Sequence, residues 1–257
     1  MIHPTAIIDP TAKLASDVEV GPFCVVGANV QIGAGSVLKS HVVIEGHTTI
    51  GENNTFFPFA AIGQLTQDLK YDGEPTALII GNGNTFRENT TIHRGTTEEV
   101  PTRIGNNNLF LAYAHVAHDC LVGNHCILSN NATLGGHSAV GDFAIISGLS
   151  GVHQFCQIGE HSLVGGCTKI VQDVPPFTIV DGNPATVRGL NLIGLQRRGF
   201  PKDSRRALKK AYKKLFLSKK NNMAELTEEL ATSEHAEDVH VARLIDFIST
   251  SERGVVR

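Results

Sequence analysis

The chain has 257 residues, 41% of them hydrophobic, with 26 glycines and no tryptophan, which favours a regular, turn-rich fold with a substantial core. The opening MIHPTAIIDP lacks the basic and apolar regions of a secretory signal. No run approaches the roughly 18 apolar residues that cross a membrane, so we expect a cytoplasmic protein without stable membrane insertion. Five cysteines without CxxC pairs make a disulfide framework unexpected.

A six-residue repeat runs through most of the chain. Every sixth residue is Ile, Leu, Val or Phe over positions 2–62, 80–92 and 104–170, and the residue four positions later is usually small. Such units form the hexapeptide repeat of a parallel β-helix, three of them making one triangular coil. Positions i and i+4 should point inward, while i+2 and i+3 form an outward corner. We therefore predict a mainly β protein.

Two interruptions of the repeat predict loops ejected from the coil, at 64–79 and 96–103, and the repeat resumes in register after each. The first is long enough to favour a functional role. Proline and glycine residues end the repeat between 172 and 185. We predict a β-helical domain over 1–185 and a helical domain over 186–257.

Helical spacing of apolar residues follows in 204–216, with weaker patterns at 226–230 and 241–248. Charge is concentrated in the same region. The net charge is −3, yet residues 197–220 carry 11 basic and 1 acidic side chains. A solvated helix face is one interpretation of this segment. Nucleic-acid binding is disfavoured because few exposed aromatic residues accompany it.

The repeat sorts the cysteines and histidines by direction. Four cysteines fall at the small inward position i+4 and are predicted to fill the core: Cys24, Cys120, Cys126 and Cys156. His118 falls at an outward corner, with Gly136 and Gln154 at 18-residue intervals in the same column. His115, His137 and His153 should lie beside this column, so four histidines gather on one edge over three coils.

Three interpretations compete for the segment AHVAHDC, residues 114–120. Zinc would need three converging imidazoles, as in the trimeric β-helix carbonic anhydrases. A thiol nucleophile is disfavoured because Cys120 should be buried. A general base fits best: His118 would accept a proton, and the amide of Gly136 would stabilise an oxyanion. Adjacent residues of an extended chain point apart, so a contact between His118 and Asp119 is not expected.

Several motifs together resemble the UDP-N-acetylglucosamine O-acyltransferase family, a hexapeptide-repeat family with a left-handed β-helix. They are QDLKYDGEPT (67–76), TIHRGT (91–96), AHVAHDC (114–120), VHQF (152–155), VGGC (164–167), QDVPPF (172–177) and RRGF (197–200). The resemblance runs from about Ile2 to the C-terminus. It implies a homotrimer that begins lipid A synthesis by moving an (R)-3-hydroxyacyl group from acyl carrier protein to the 3-hydroxyl of UDP-N-acetylglucosamine.

The resemblance also implies residue roles, with no metal and no cofactor retained by the enzyme. His118 would be the general base, Asp119 its orienting partner and Gly136 the oxyanion donor. The residues that would hold or line the site of the sugar nucleotide are Asp68, Lys70, His93, His115, His137, His153, Gln154, Asn191, Arg197 and Arg198. The basic segment would attract a diphosphate and the acidic carrier protein.

Acyl length is set in this family at the position of Gly166, with Leu163 beside it. A glycine leaves room for a chain of roughly twelve to fourteen carbons or more, where a larger side chain would clash. The nearest competing family is the UDP-3-O-acylglucosamine N-acyltransferases, but these have an additional N-terminal uridine-binding domain, whereas this repeat begins at Ile2. A zinc carbonic anhydrase and a purely structural β-helix are two further interpretations of the same repeat.

Overall fold

The computed structural model describes residues 1–218 and 222–257, and these form three sheets of short strands followed by helices. Successive strands lie on different sheets, so each sheet is one face of a triangular coil. As far as Ile170, partners within a sheet are 18 residues apart wherever no loop intervenes, as in the parallel pairs His115 with Thr133 and Thr133 with Gly151. This is the predicted parallel β-helix of hexapeptide units.

The strands are numbered along the chain and grouped by face. Face A contains β3 Glu19–Val20, β6 Val37–Leu38, β9 Thr55–Phe56, β12 Thr85–Phe86, β15 Leu109–Phe110, β18 Ile127–Leu128, β21 Ile145–Ile146, β24 Leu163–Val164, β26 Thr178–Asp181 and β27 Thr186–Leu190. Face B contains β1 Ile7–Ile8, β4 Val25–Val26, β7 Val43–Ile44, β10 Ala61–Gln64, β13 Thr91–His93, β16 His115–Val116, β19 Thr133–Leu134, β22 Gly151–Val152 and β25 Lys169–Ile170. Face C contains β2 Lys13–Leu14, β5 Gln31–Ile32, β8 His47–Ile50, β11 Ala77–Ile80, β14 Thr102–Ile104, β17 Leu121–Val122, β20 Ala139–Val140 and β23 Gln157–Ile158.

The interior of the coil is filled by the repeat residues, as predicted. Phe56, Phe86 and Phe110 are fully buried and stack with ring centroids 4.9 and 4.8 Å apart. Cys24, Cys120, Cys126 and Cys156 are buried in the small inward positions, and Cys167 is exposed. Continuous burial of apolar surface along the axis is the main stabilisation available to such short strands.

The turns between faces form three edges, called here AB, BC and CA after the faces they join. Most turns contain one residue in the left-handed region, such as Asp119 with φ 59° or Phe143 with φ 60°. This region is unusual for side chains larger than glycine. The left-handed residue sets the direction of the outward side chains in its turn. Side chains at the same position in neighbouring coils stack in columns along the edge.

Both ejected loops leave the coil at the BC edge. The first joins β10 to β11 over residues 65–76, and the second joins β13 to β14 over residues 94–101. The first loop is shorter than its predicted range because β10 extends to Gln64 and β11 begins at Ala77. The second lies two residues earlier than predicted, because β13 ends at His93 and β14 begins at Thr102. The two loops lie beside each other in successive coils.

The predicted start of the helical domain at residue 186 is wrong. Thr186–Leu190 is strand β27, which pairs antiparallel with β26, so the glycine and proline residues at 182–184 form a hairpin turn. The helices are α1 Leu192–Arg197, α2 Lys202–Phe216, α3 Met223–Ala231, a 3-10 turn at Glu234–Glu237, and α4 Val239–Thr250.

The helices bury the apolar stripes that the sequence predicted. Leu208, Ala211 and Leu215 of α2 are buried, while Lys209, Lys210 and Lys213 on its other side are exposed. The last two basic residues of the predicted segment, Lys219 and Lys220, lie outside the described residues. Among the residues that are described, no helix has the length and apolarity needed to span a membrane.

Candidate active site

A pocket of about 480 Å³ lies on the BC edge, where the first ejected loop faces the turn between β16 and β17. Loop residues form one wall and turn residues the other. Five residues with predicted roles line this pocket: Asp68, Lys70, His93, His118 and Gln154. The repeat register explains why His118 and Gln154 meet, since they occupy the same corner two coils apart.

His118 forms a close pair with Asp119. The distance from His118 Nδ1 to Asp119 Oδ2 is 2.7 Å, and the Asp119 side chain is almost completely buried. The expectation that these adjacent side chains point apart is wrong, because Asp119 has a left-handed backbone with φ 59°. Aspartate tolerates this conformation better than most residues. The hydrogen bond to a carboxylate keeps the proton on Nδ1 and leaves the Nε2 lone pair of His118 as a base.

The Asp119 carboxylate also receives two hydrogen bonds from the second ejected loop. The backbone N–H of Thr96 donates to Oδ1 over 2.9 Å, and the Thr96 hydroxyl donates to Oδ2 over 2.7 Å. The Asp119 N–H in turn donates to Thr102 Oγ1 over 2.8 Å. Sequence reasoning gave neither threonine a role. The repeat pattern does not predict where residues of an ejected loop lie, and only the position of Thr96 in the motif TIHRGT gave a signal.

Gly136 lies one coil further along the edge, directly against the His118 ring. A Cβ built on Gly136 would overlap the imidazole ring of His118, so only glycine leaves space for this base. The Gly136 carbonyl accepts from Phe155 N over 3.0 Å. Its N–H has no hydrogen-bond partner within residues 1–218 and 222–257, which leaves that donor available to a bound group.

The buried His93 and the half-buried His115 form a pair beside His118. Their rings meet edge to face at 4.8 Å. Burial, followed by the neighbouring His115 and His118, lowers the pKa of His93 to about 4. Burial and His118 also lower the pKa of His115, whose Nδ1 lies 2.7 Å from Thr91 Oγ1. Both rings are therefore neutral near pH 7, and His115 supports the pocket from outside its lining.

His137 and His153 also stay outside the pocket lining. His137 stacks on Phe155 with centroids 4.5 Å apart, and its Nε2 lies 3.5 Å from Asp119 Oδ2. His153 is exposed and its Nδ1 donates to the backbone oxygen of Gln154 over 3.1 Å. The predicted gathering of histidines on one edge is confirmed, although they differ in their access to the pocket.

The distances around His118 and the burial of Cys120 can be compared with the zinc and thiol interpretations. His118, Asp119 and His137 are close enough to share a metal ion. However, ligand atoms of tetrahedral zinc at about 2.0 Å would be roughly 3.3 Å apart, whereas His118 and Asp119 are at the 2.7 Å of a hydrogen bond. Burial raises the pKa of the Cys120 thiol to about 12, so this cysteine stays protonated. The arrangement favours a hydrogen-bonded base.

The remaining predicted residues lie on other edges. Asn191 is buried at the CA edge, where its side chain accepts from Gly194 N and donates to the His161 carbonyl over 2.9 Å. These bonds cap helix α1. The Arg198 guanidinium lies 4.2 Å from the centroid of the Phe143 ring on the same edge, and Arg197 is exposed nearby in α1.

Gly166 and Leu163 lie near the AB edge of the coil. Leu163 lies half-buried on strand β24 of face A, and Gly166 is exposed in the AB-edge turn that follows. A Cβ on Gly166 would come no closer than 3.5 Å, to the Gly148 oxygen. A larger side chain would therefore project outward there without disturbing the coil.

Comparison with known proteins agrees with the geometry. A hexapeptide model of bacterial transferases matches residues 101–136. The protein is therefore a hexapeptide-repeat transferase, and its coil is the predicted left-handed parallel β-helix. The model described as UDP-N-acetylglucosamine O-acyltransferase, domain 2, matches residues 173–256.

Solved structures cover the whole chain. LpxA from Acinetobacter baumannii is 46% identical with a TM-score of 0.95, covering 100% of this chain and 99% of that one. UDP-N-acetylglucosamine O-acyltransferase from Moraxella catarrhalis is 48% identical, with a TM-score of 0.94 and the same coverage. The Bacteroides fragilis enzyme is 39% identical, with a TM-score of 0.96 and full coverage of both chains. The chain belongs to the UDP-N-acetylglucosamine O-acyltransferase family and is an acyltransferase.

The contact between Gly136 and His118 generates a prediction. The substitution Gly136→Ala should displace the His118 ring and lower the acyl-transfer rate about tenfold or more, while the thermal unfolding midpoint changes by only a few degrees. Gly151→Ala is the matched control, since a Cβ there meets nothing within 4 Å. Equal rates for wild type and Gly136→Ala would contradict the steric role of this glycine.

Proposed function

We propose that the enzyme moves an (R)-3-hydroxyacyl group from acyl carrier protein to the 3-hydroxyl of UDP-N-acetylglucosamine, the first step of lipid A biosynthesis. The hydrogen-bonded pair of His118 and Asp119 at the floor of the BC-edge pocket carries this proposal. Such a pair supplies a neutral base without a metal. The family to which the chain belongs supplies the identity of the acceptor, and the enzyme would act in the cytoplasm.

The proposed chemistry is general-base catalysis. Nε2 of His118 takes the proton of the sugar 3-hydroxyl as its oxygen attacks the thioester carbonyl of the donor. The Gly136 N–H stabilises the oxyanion of the tetrahedral intermediate. When the intermediate collapses, the carbon–sulfur bond breaks and the thiolate of the carrier's phosphopantetheine takes the proton from His118. Asp119 stabilises the imidazolium in between, so no cofactor held by the enzyme is required.

Charge and position support the binding roles. Asp68 and Lys70 lie on the loop that forms the outer wall of the pocket, where Lys70 is exposed and available to a phosphate. The exposed Lys209, Lys210 and Lys213 of α2 form a basic surface suited to an acidic carrier protein, since opposite charge accelerates encounter. Gly166 leaves room for the end of a long acyl chain.

A homotrimer follows if all of these residues serve one site. The base lies on the BC edge, Arg198 on the CA edge and Gly166 on the AB edge, and the body of the coil separates the three edges within one chain. Face A, bounded by the Arg198 and Gly166 edges, would therefore belong to a neighbouring protomer and oppose the BC edge of the first. Repeated around a threefold axis, this arrangement places every AB edge at the centre.

The AB edge has the surface expected of such a centre. Large apolar side chains project from it in every second coil, and more than half of each is exposed: Phe23 56%, Phe59 57%, Tyr113 59% and Leu149 66%. His41, Asn89 and Asn131 occupy the same turn position in the coils between them. Exposed apolar side chains repeated along one edge are typical of subunit contacts.

Transfer itself is the test of the proposed function. Purified protein is incubated with UDP-N-acetylglucosamine and a panel of 3-hydroxyacyl carrier proteins of different lengths, and products are identified by mass spectrometry. We expect ester formation at the 3-hydroxyl, fastest with long chains. His118→Ala should lose at least about 100-fold in kcat, whereas His47→Ala, an exposed histidine of face C, should not. Absence of transfer from every donor would reject the function.

The threefold arrangement predicts that the AB edge controls assembly. Leu149→Arg should dissociate the trimer or weaken it strongly, because three buried like charges would meet near the axis. Leu121→Arg is the control, since Leu121 is 47% exposed but lies on face C, away from the proposed contacts. Light scattering coupled to size-exclusion chromatography measures the mass. A trimer that tolerates Leu149→Arg as well as Leu121→Arg would contradict this packing.

A further inference from the structure

Thr96 is the polar residue that contacts Asp119 most extensively, and neither the repeat nor the proposed chemistry gives it a role. It lies in the second ejected loop, yet it donates to both carboxylate oxygens of Asp119, from its N–H over 2.9 Å and from its hydroxyl over 2.7 Å. Thr102, the first residue of β14 after the same loop, accepts from the Asp119 N–H over 2.8 Å. The loop thus holds this aspartate from two sides.

These bonds stabilise Asp119 as an anion inside the protein. The residue is only 5% exposed, and a buried carboxylate is costly unless hydrogen-bond donors surround it. Thr96 supplies two donors and His118 Nδ1 supplies the third. Oδ2 is shared between the Thr96 hydroxyl and the His118 ring, so the position of the threonine sets the direction in which the carboxylate meets the imidazole.

The backbone before Thr96 is itself fixed by the strand ends that flank the first ejected loop. Arg94 N donates to the Gln64 carbonyl, and Gly95 N donates to the Ala77 carbonyl, each over 3.1 Å. Gln64 and Ala77 are the two residues that flank the first loop. Gly95 has no space for a side chain, because a Cβ there would collide with the Val100 carbonyl oxygen. Thr96 is therefore held between the loop that walls the pocket and the carboxylate behind the base.

We propose that Thr96 is a positioning residue for acyl transfer, which fixes the Asp119 carboxylate and, through it, the Nδ1-protonated tautomer and orientation of His118. The proposal rests on the proposed general-base function. A threonine that merely stabilises its own loop would make the same contacts, so the test must separate an effect transmitted through Asp119 from a general effect on the loop.

Steady-state kinetics give the first readout. Thr96→Val keeps the shape of the side chain and removes its hydroxyl, and we expect kcat to fall about 10- to 100-fold while KM for both substrates changes little. Thr96→Ser should restore most of the rate. Thr97→Val is the matched control, because Thr97 is exposed on the same loop. Equal kcat values for Thr96→Val and Thr97→Val would overturn the proposal.

A double-mutant cycle separates the two explanations. In an Asp119→Asn background, Thr96→Val should lower kcat by less than about twofold, because residues that act as a unit are not additive. An undiminished loss in that background would show that Thr96 acts through the loop alone, and would overturn the proposal.

The tautomer of His118 gives a readout that does not depend on turnover. Nitrogen-15 NMR of histidine-labelled protein, assigned with the His118→Ala variant, should show protonation at Nδ1 in wild type and a smaller fraction of that tautomer in Thr96→Val. An unchanged tautomer would overturn the proposal. If wild-type protein transferred no acyl group, the proposed function would fail, whereas the NMR result would still decide whether Thr96 positions the ring.

Discussion

The in-register stacking of 18-residue coils is the constraint on which the rest of this structure depends. Parallel hydrogen bonds fix each strand of the coil to the strands one coil before and after it, so equivalent residues of successive coils must form columns. Burial of every sixth side chain makes this register unique. Chemical groups separated by 18 or 36 residues are consequently brought to one edge, and His118, Gly136 and Gln154 meet for this reason alone.

The polar groups around His118 at the BC edge come largely from segments that leave the regular coil. The two ejected loops both leave at the BC edge, where the first walls the pocket with Asp68 and Lys70 and the second holds the buried Asp119 through Thr96. A left-handed backbone at Asp119 turns its carboxylate towards His118. The coil thus gives His118 fixed surroundings, which suits the proposed proton transfer because its partner groups need not rearrange.

The sequence predicts what depends on period and direction, and misses what depends on local backbone conformation. The buried cysteines, the histidine edge and the amphipathic helices follow from spacing alone. The contact between His118 and Asp119 does not, because the apolar period identifies inward positions and says nothing of backbone dihedral angles. The structure shows that the left-handed residue recurs at i+3 of the hexads, the position that Asp119 occupies. The sequence predicts a domain boundary where the hairpin at 181–186 lies, because glycine and proline are common both in hairpin turns and between domains. The family resemblance implies that Asn191 binds the sugar nucleotide, and the structure shows that its side chain caps helix α1. Residue spacing predicts neither role.

In the proposed trimer, one protomer supplies the base and its neighbour supplies Arg198. Mixing two inactive variants, His118→Ala and Arg198→Ala, after joint unfolding and refolding tests it most directly. In the proposed trimer, every site would pair the BC edge of one protomer with the CA edge of the next, so random mixing should restore about one quarter of wild-type acyl transfer. No recovery in verified mixed trimers would contradict a site shared between protomers.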